Sequence, residues 1–277
     1  MIDRYAVIGN PIGFSKSPLI HGIFAQATRQ VMDYTAIEGP LGGFAGAVDA
    51  FRAVGGLGLN ITAPFKLDAF TYATACSARA QLAGAVNAMK FDGSHVVGEN
   101  FDGVGLVRDV THNLRTSLQG KRVLLLGAGG AARGALLPFL EQQPACLVIA
   151  NRSLDKALDL AVIAEKQGAS PAQVVGCRYA DLVGQTYDVV FNATSASLRA
   201  ELPPVPTSVF ANGALAYELA YGKGLTPFLR LAQNAGVKQL ADGVGMLAEQ
   251  AAEAFAWWRG VRPDTAAVIV RLTVPLV

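Results

Sequence analysis

The sequence contains little that would point to disulfides, a structural metal site or a membrane. Only three of its 277 residues are cysteines, Cys76, Cys146 and Cys177, and they form no Cys-x-x-Cys pair. An odd number of widely spaced cysteines favours reduced thiols, so we expect a cytoplasmic protein without a bound metal. No apolar run reaches the ~18 residues of a membrane span, and the N-terminus has no signal-peptide pattern.

Charge of one sign is also scarce. The formal net charge is +2, and lysines and arginines form no dense run. This balance gives no reason to expect nucleic acid or a membrane surface as a partner, so we expect a small-molecule substrate. Apolar residues make up 52 % of the chain, which is enough for a large core. At about 150 residues per domain, the length suggests two domains.

Short apolar runs alternate with helical periods along the chain, which predicts an α/β fold. Residues 122–126 contain four consecutive apolar residues, as is typical of a central strand in a parallel sheet. Near the start of the chain, Ser17 precedes Pro18 and is a candidate N-cap of a helix.

A glycine-rich turn follows the strand at 122–126 and has the pattern Gly-x-Gly-x-x-Ala. Such glycines allow a tight turn and let the backbone approach a pyrophosphate closely. The free N–H groups at the N-terminus of the following helix also attract this anion. The other interpretation is a close-packed turn without a ligand. We predict that a dinucleotide contacts Gly127, Ala128, Gly129, Gly130 and Ala131.

The next predicted strand ends at Asn151-Arg152-Ser153, where a residue that contacts the adenosine ribose is expected. An acidic residue there would accept the 2′-hydroxyl of NAD, whereas Arg152 favours the 2′-phosphate of NADP. Lys156, one helical turn later, adds a second positive charge. The alternative is a solvated arginine at a helix start. We therefore predict NADP as the cofactor.

Lys66 and Asp102 are candidates for acid–base chemistry. Lys66 follows a predicted strand and Pro64, and Asp102 stands at a predicted helix start. Removing a proton from an alcohol during hydride transfer is work that a lysine paired with a carboxylate can do. Taken alone, however, Lys66 also fits a solvated surface lysine, and Asp102 fits an ordinary N-cap.

Seven short motifs, spread in order over nearly the whole chain, resemble those of the shikimate dehydrogenase family. They are Ser15-Lys16-Ser17-Pro18, the Asn-x-Thr-x-Pro-x-Lys run at 60–66, Ala85-Val86-Asn87, Asn-x-Asp-Gly at 100–103, Gly-Ala-Gly-Gly-Ala at 127–131, Asn151-Arg152 and Asp242-Gly-Val-Gly-Met246.

The resemblance implies an α/β protein of two domains with a cleft between them. The substrate-binding and catalytic domain would contain residues 1–103 plus 245–277, and the Rossmann-type NADP-binding domain residues 104–244. The implied reaction is the reversible reduction of 3-dehydroshikimate to shikimate, a step towards chorismate and the aromatic amino acids. The oligomeric state, monomer or homodimer, is left open.

The resemblance also implies a role for individual residues. Lys66 would be the acid–base group and Asp102 its partner. The substrate would contact Ser15 and Ser17 through its carboxylate, Asn60, Thr62, Asn87 and Gln250 through its ring hydroxyls, and Tyr221. Besides Asn151, Arg152, Ser153 and Lys156, the cofactor would contact Leu219, Gly243 and Met246 near its nicotinamide.

The chain also departs from the family pattern at several positions. Phe101 stands where threonine is usual, Phe14 where histidine is frequent, Glu218 where aspartate is usual, and Leu219 where methionine is usual, while the stretch 195–198 lacks a glycine. We expect the phenyl ring of Phe101 to alter the substrate pocket.

Three interpretations follow from the match and its departures. The first is a shikimate dehydrogenase. The second is a quinate/shikimate-type enzyme or a divergent paralogue that acts on a related ring acid. The third is a non-catalytic ligand sensor, which the loss of Lys66 or Asp102 would have favoured; both residues are present.

Overall fold

The computed structural model describes residues 2–170 and 173–276, except for the side chain of Leu198. These residues divide into two compact units. The first contains the residues up to Gly105 together with Ala248–Arg271, and the second contains Leu106–Leu247 with the residues from Leu272 onward. The predicted division at 103/104 and 244/245 differs from this one at the end of the chain, where Leu276 packs against the core of the second unit.

A six-stranded mixed sheet forms the first unit, in the order β2-β1-β3-β5-β6-β4. Its strands are β1 (Asp3–Gly9), β2 (Met32–Glu38), β3 (Gly56–Ile61), β4 (Ala75–Cys76), β5 (Ala88–Asp92) and β6 (His95–Glu99). Strand β5 is antiparallel to both β3 and β6, so β3 and β6 run in the same direction. The carboxyl ends of β3 and β6 therefore lie at the same edge of the sheet.

The α-helices of the two units lie between or after the strands along the chain. They are α1 (Ser17–Thr28), α2 (Phe44–Ala53), α3 (Lys66–Tyr72), α4 (Ala78–Ala83), α5 (Asp102–Arg108), α6 (Gly130–Glu141), α7 (Leu154–Lys166), α8 (Pro227–Asn234), α9 (Val244–Arg259) and α10 (Ala266–Leu272).

The predicted N-cap role of Ser17 is wrong. Ser17 is the first residue of α1, and Lys16 occupies the cap position without a side-chain hydrogen bond. Ser15 Oγ instead accepts the backbone N–H of Ser17, at 3.3 Å. The serine that can satisfy an unpaired helical N–H is thus two residues earlier than the sequence pattern indicated.

Successive residues of a strand face opposite sides of a sheet, and this alternation gives the first unit two apolar clusters. Ala6, Ile8 and Met89 belong to the cluster that packs on α2 and α3. Their neighbours Tyr5 and Ala88 belong to the cluster on the other side, which includes Trp258 of α9. The rings of Tyr5 and Trp258 stack with their centroids 4.8 Å apart.

A wholly parallel six-stranded sheet forms the second unit. Its strands are β7 (Arg122–Leu126), β8 (Cys146–Ala150), β9 (Val174–Cys177), β10 (Tyr187–Asn192), β11 (Phe210–Glu218) and β12 (Gln239–Asp242). They lie in the order β9-β8-β7-β10-β11-β12, which is the strand order of a doubly wound Rossmann fold. The predicted Rossmann-type α/β domain is thereby confirmed.

The strand order reverses between β7 and β10, and ligands of such sheets bind where the chain leaves the carboxyl ends of these two strands. The turn that follows β7 lies there, next to the backbone of Ala193 after β10. No helix among the residues that the structure describes is long and apolar enough to cross a membrane.

Gly58 tests how closely α9 packs on the sheet of the first unit. A Cβ atom at Gly58 would stand 2.6 Å from Trp258 Nε1 and 2.7 Å from the carbonyl oxygen of Met89. Trp258 Nε1 donates to that same oxygen, at 3.0 Å. We expect Gly58→Ala to lower the free energy of unfolding by about 1–3 kcal/mol, because the added methyl group overpacks this contact.

Gly46→Ala is the matched control, because its Cβ would meet no atom within 4 Å on the exposed side of α2. For Gly46→Ala we expect the free energy of unfolding to rise by about 0.5–1 kcal/mol, because alanine has a higher helix propensity than glycine. Urea unfolding followed by tryptophan fluorescence reports on the first unit, since the chain's two tryptophans, Trp257 and Trp258, both lie in it. Equal midpoints for the two variants would contradict the packing described here.

Candidate active site

Lys66 and Asp102 form the closest charged contact of the candidate site. Lys66 begins α3, after β3, and Asp102 begins α5, after β6, so both lie at the edge where these strands end. Lys66 Nζ donates to Asp102 Oδ2 at 2.6 Å, and the two side chains are 34 % and 17 % exposed. The pair is thus shielded on several sides but still reachable by a small molecule.

The carboxylate of Asp102 is held by a second donor. Asn87 Nδ2 donates to its other oxygen, Oδ1, at 2.7 Å. The backbone N–H of Asp102 is accepted by Asn100 Oδ1, at 3.1 Å. Asn100 therefore satisfies this helix start, and the interpretation of Asp102 as an ordinary N-cap is wrong: its carboxylate binds Lys66 and Asn87.

Asn87 has its amide orientation fixed on both sides. Its Oδ1 accepts the backbone N–H of Phe101 at 2.9 Å, and its Nδ2 also donates to Gln250 Oε1 at 3.3 Å. With a relative exposure of only 2 %, it can adopt few other positions. Asn87 thereby places Gln250, from α9, beside the Lys66–Asp102 pair.

Asn60 extends the same network towards β2 and the start of α1. Its Nδ2 donates to the carbonyl oxygen of Asn87 at 3.4 Å, and its Oδ1 accepts the hydroxyl of Tyr34 at 2.7 Å. Burial raises the pKa of Tyr34 well above its usual value. The Tyr34 hydroxyl also bonds to the side chain of Ser17, which lowers this pKa by a smaller amount. Tyr34 could not be predicted as part of the site, because one tyrosine in a strand carries no signal of a site.

His21 supports this region from the core. Its ring stacks on that of Tyr34 with a centroid distance of 4.1 Å and nearly parallel planes. Burial lowers the pKa of His21 to about 3, so the imidazole is neutral at physiological pH. The uncharged imidazole packs flat against the Tyr34 ring and so helps to hold the orientation in which the Tyr34 hydroxyl reaches Asn60.

The remaining predicted substrate residues are placed by loops. Thr62 follows β3, and its backbone N–H bonds to the carbonyl oxygen of Ile8 at 3.0 Å. A Cβ at Gly9 would overlap the Thr62 side chain, so the glycine lets the loop after β1 pass close to it. Ser15 follows on this loop, and Ser17 begins α1 directly after it. Tyr221 belongs to the second unit and is 43 % exposed.

The phenyl ring of Phe101 lies in the core of the first unit, and its effect on the substrate pocket stays a prediction. Phe101 is 5 % exposed and belongs to the cluster around Tyr5 and Trp258. Its ring meets that of Trp257 edge to face, with a centroid distance of 5.7 Å. The residue contributes to the core behind the site. Phe14, by contrast, is 86 % exposed.

A cavity of about 540 Å³ opens at the switch point of the second unit. Most of the predicted cofactor residues line it: Gly127, Ala128, Gly129, Gly130, Asn151, Arg152, Ser153 and Lys156. Ala131, in the first turn of α6, is exposed and is not among the described lining residues. A further part of the lining comes from the segment Ala193–Pro204, which the sequence motifs did not predict.

The backbone of this cavity fits a dinucleotide. Gly127 has φ +102° and approaches Ala193 so closely that a Cβ would stand 3.2 Å from its backbone. At Gly129 and Gly130 a Cβ would meet no atom within 4 Å. A methyl group at either position would project into open space beside the N-terminus of α6, where the backbone N–H groups are available to an anion.

Glu218 links the walls of the cavity to the segment after β11. Its Oε2 accepts Asn192 Nδ2 at 2.9 Å, Thr226 Oγ1 at 3.2 Å and the hydroxyl of Ser197. Its Oε1 accepts the backbone N–H of Ala220, at 3.2 Å. Burial raises the pKa of this carboxyl, and the hydrogen bonds partly offset the rise.

The motif Asp242-Gly-Val-Gly-Met246 is explained by close packing. A Cβ at Gly243 would overlap the carbonyl of Leu219, and one at Gly245 would overlap the carboxylate of Asp109. The backbone N–H of Met246 donates to Tyr217 Oη at 3.3 Å. The structure therefore brings Leu219 together with Gly243. Neither these two nor Met246 is among the described residues that line the cavity.

Comparison with known proteins gives a consistent assignment along the chain. Residues 7–89 match a family model described as the shikimate dehydrogenase substrate binding domain, residues 109–200 one described as shikimate/quinate 5-dehydrogenase, and residues 243–269 one described as the shikimate 5′-dehydrogenase C-terminal domain.

Individual relatives cover nearly the whole chain. A shikimate dehydrogenase (NADP(+)) of Aromatoleum aromaticum is 55 % identical over 98 % of this chain and 97 % of its own. The crystal structure of an Ael1 enzyme from Pseudomonas putida is 62 % identical, with a TM-score of 0.95 over 99 % of this chain and all of that one. The Thermus thermophilus shikimate 5-dehydrogenase in complex with NADP(H) and shikimate is 28 % identical, with a TM-score of 0.84 over 98 % of both chains.

Glu218 yields a prediction on the pH dependence of stability. Its folded-state pKa lies above the usual 4.5, so protonation favours the folded protein. This contribution is fully present below pH 4.5 and is lost as the pH rises through the raised value. Relative to wild type, Glu218→Gln should therefore gain stability as the pH increases across this window, as measured by urea unfolding with circular dichroism.

Glu165→Gln serves as the control, because Glu165 is exposed on α7. It should leave the difference from wild type constant over the same pH range. A Glu218→Gln difference that is equally flat would contradict the raised pKa.

Proposed function

Because the chain belongs to the shikimate dehydrogenase family, we propose that it catalyses the reversible, NADP-dependent reduction of 3-dehydroshikimate to shikimate. The observation that carries the proposal is the Lys66–Asp102 contact of 2.6 Å, held by Asn87 at the sheet edge where β3 and β6 end. We assign substrate binding to the first unit and NADP binding to the second.

Lys66 is the acid–base group of this proposal. In the reductive direction, Lys66 Nζ donates a proton to the ring carbonyl oxygen as the carbon gains a hydride. In the oxidative direction, the amine takes the hydroxyl proton. Asp102 keeps the lysine in position and balances its charge. NADP supplies the hydride chemistry when it is bound.

The polar groups around the pair are suited to a carboxylated ring with several hydroxyls. We assign the substrate carboxylate to the hydroxyls of Ser15 and Ser17, and the ring hydroxyls to Asn60, Thr62, Asn87 and Gln250. The amides of Asn60 and Asn87 are already oriented by Tyr34 and by the Phe101 backbone. Groups fixed in advance lose little freedom when a substrate binds, which favours specificity. Tyr221 is assigned to the substrate on the family pattern.

The cavity of the second unit is assigned to NADP. Gly127–Gly130 and the N-terminus of α6 would hold the diphosphate. Asn151, Arg152, Ser153 and Lys156 would hold the phosphorylated ribose, because Arg152 and Lys156 bring two cations to this part of the cavity and the residues directly after β8, Asn151 and Arg152, are not acidic. We assign Leu219, Gly243 and Met246 to the nicotinamide end.

The setting of the enzyme is also proposed. The free cysteines Cys76, Cys146 and Cys177 fit a reducing compartment, so we propose a cytoplasmic enzyme of aromatic amino-acid biosynthesis that acts as a monomer or homodimer.

Lys66→Ala tests the acid–base assignment. We expect kcat for shikimate oxidation to fall by about 10²–10⁴-fold, because the proton acceptor is lost. The Kd of NADP⁺ should not change. The assay is NADPH formation at 340 nm. Lys90→Ala is the control, since Lys90 is an exposed lysine of the same unit that donates to the Trp257 carbonyl, at 3.4 Å.

Near-normal turnover by Lys66→Ala would contradict the assignment of this lysine as the acid–base group.

A substrate panel tests the reaction itself, with shikimate or quinate supplied in turn with NADP⁺ or NAD⁺. The proposal requires the highest kcat/KM for shikimate with NADP⁺. A preference for quinate would instead favour the quinate/shikimate-type alternative.

A further inference from the structure

The cavity wall that follows β10 contains a charged pair outside the motifs that carry the family resemblance. Arg199 and Glu201 both line the cavity, on the segment that follows β10. The Arg199 guanidinium binds the Glu201 carboxylate through two hydrogen bonds, from Nε to Oε1 at 3.1 Å and from Nη2 to Oε2 at 2.9 Å. Its Nη1 donates to Ser195 Oγ at 3.2 Å.

The pair lies at the surface, so it is not needed to hold the core together. Both side chains are 57 % exposed. An ion pair with this exposure contributes little to stability, because water screens it. The same exposure leaves the guanidinium able to change partners when an anion enters the cavity.

Charge identifies what the cavity suits. The charged residues among its described lining are Arg152, Lys156, Arg199 and Glu201, three cations and one carboxylate. The pKa of Glu201 is lowered chiefly by its bonds to Arg199, and also by the positive charge of Arg152. Glu201 therefore lies within electrostatic reach of Arg152, and all three residues line the same cavity.

We propose that Arg199 is a specificity-determining residue that binds the 2′-phosphate of NADP together with Arg152 and Lys156, and that Glu201 competes with this phosphate for the Arg199 guanidinium. The inference rests on the proposed function only in taking NADP as the cofactor. A guanidinium fork binds a carboxylate or a phosphate in the same bidentate manner, so the 2′-phosphate can take the place of Glu201. The phosphate carries more negative charge than the Glu201 carboxylate, so its electrostatic attraction to the three cations is stronger.

Two single variants should shift binding in opposite directions, as measured by titration calorimetry with NADP⁺, NAD⁺ and 2′,5′-ADP. Arg199→Ala should weaken NADP⁺ and 2′,5′-ADP by about fivefold to tenfold, the size of one partly exposed charged hydrogen-bonded contact, and leave NAD⁺ unchanged. Glu201→Gln should tighten NADP⁺ and 2′,5′-ADP by about twofold to fivefold, because it removes a like charge and a competitor. NAD⁺ should again not respond.

Arg230→Ala is the matched control, since it removes the same charge from an exposed position on α8 that does not line the cavity. It should leave all three affinities unchanged. Weakening of NADP⁺ and NAD⁺ by the same factor in Arg199→Ala would place the arginine on the diphosphate and overturn the proposal. Weaker NADP⁺ binding in both Arg199→Ala and Glu201→Gln would mean that the pair is merely structural, and would overturn it too.

The titrations also separate this inference from the proposed function. Wild-type protein that binds NADP⁺ and oxidises shikimate while Arg199→Ala binds NADP⁺ normally would overturn the role of Arg199 alone. Wild-type protein that binds no NADP⁺ would overturn both.

Discussion

The contact between Lys66 and Asp102 is the interaction on which the rest of the first unit depends. Its two residues begin different helices and meet because β3 and β6 end at one edge of the sheet. Asn87 holds the second oxygen of Asp102 and reaches Gln250, while Asn60 continues the chain of bonds to Tyr34. A buried polar network of this kind is stable only when its members are satisfied, and a satisfied network has one orientation for each amide. The fold thus fixes the acid–base pair and the groups beside it together.

In the second unit, the main constraint is that backbone N–H groups must be accessible to an anion, without side chains in between. Its strand order reverses between β7 and β10, and the turn at Gly127 meets the backbone after β10 where this happens. Glu218 then bonds to both sides of the region, to Asn192 and Ser197 on one and to Ala220 and Thr226 on the other. One carboxyl therefore fixes the wall that carries Arg199 relative to the segment that carries Leu219.

The features that the sequence predicted are those encoded locally. The strand at 122–126, its glycine turn and the cations Arg152 and Lys156 stand close together along the chain, so pattern and spacing were sufficient. The site role of Tyr34 and the bonds of Glu218 could not be found in this way, because each bonds to an asparagine 26 residues away. Gln250 meets Asn87 across 163 residues, so only the family resemblance, and not local pattern, pointed to it. The directions of the Phe101 and Asp102 side chains could not be predicted from local pattern either: the ring packs in the core and the carboxylate bonds to Lys66 and Asn87, and only tertiary contacts decide such directions.

The most direct test of the central claim is a double-mutant cycle on kcat for shikimate oxidation, with Lys66→Ala, Asp102→Asn and the combined variant. Residues that act as one unit are strongly non-additive. The account predicts that each single variant loses most of the activity and that the double variant is hardly slower than Lys66→Ala. If the two losses multiply in the double variant, Lys66 and Asp102 act independently, and the pair is not the functional unit described here.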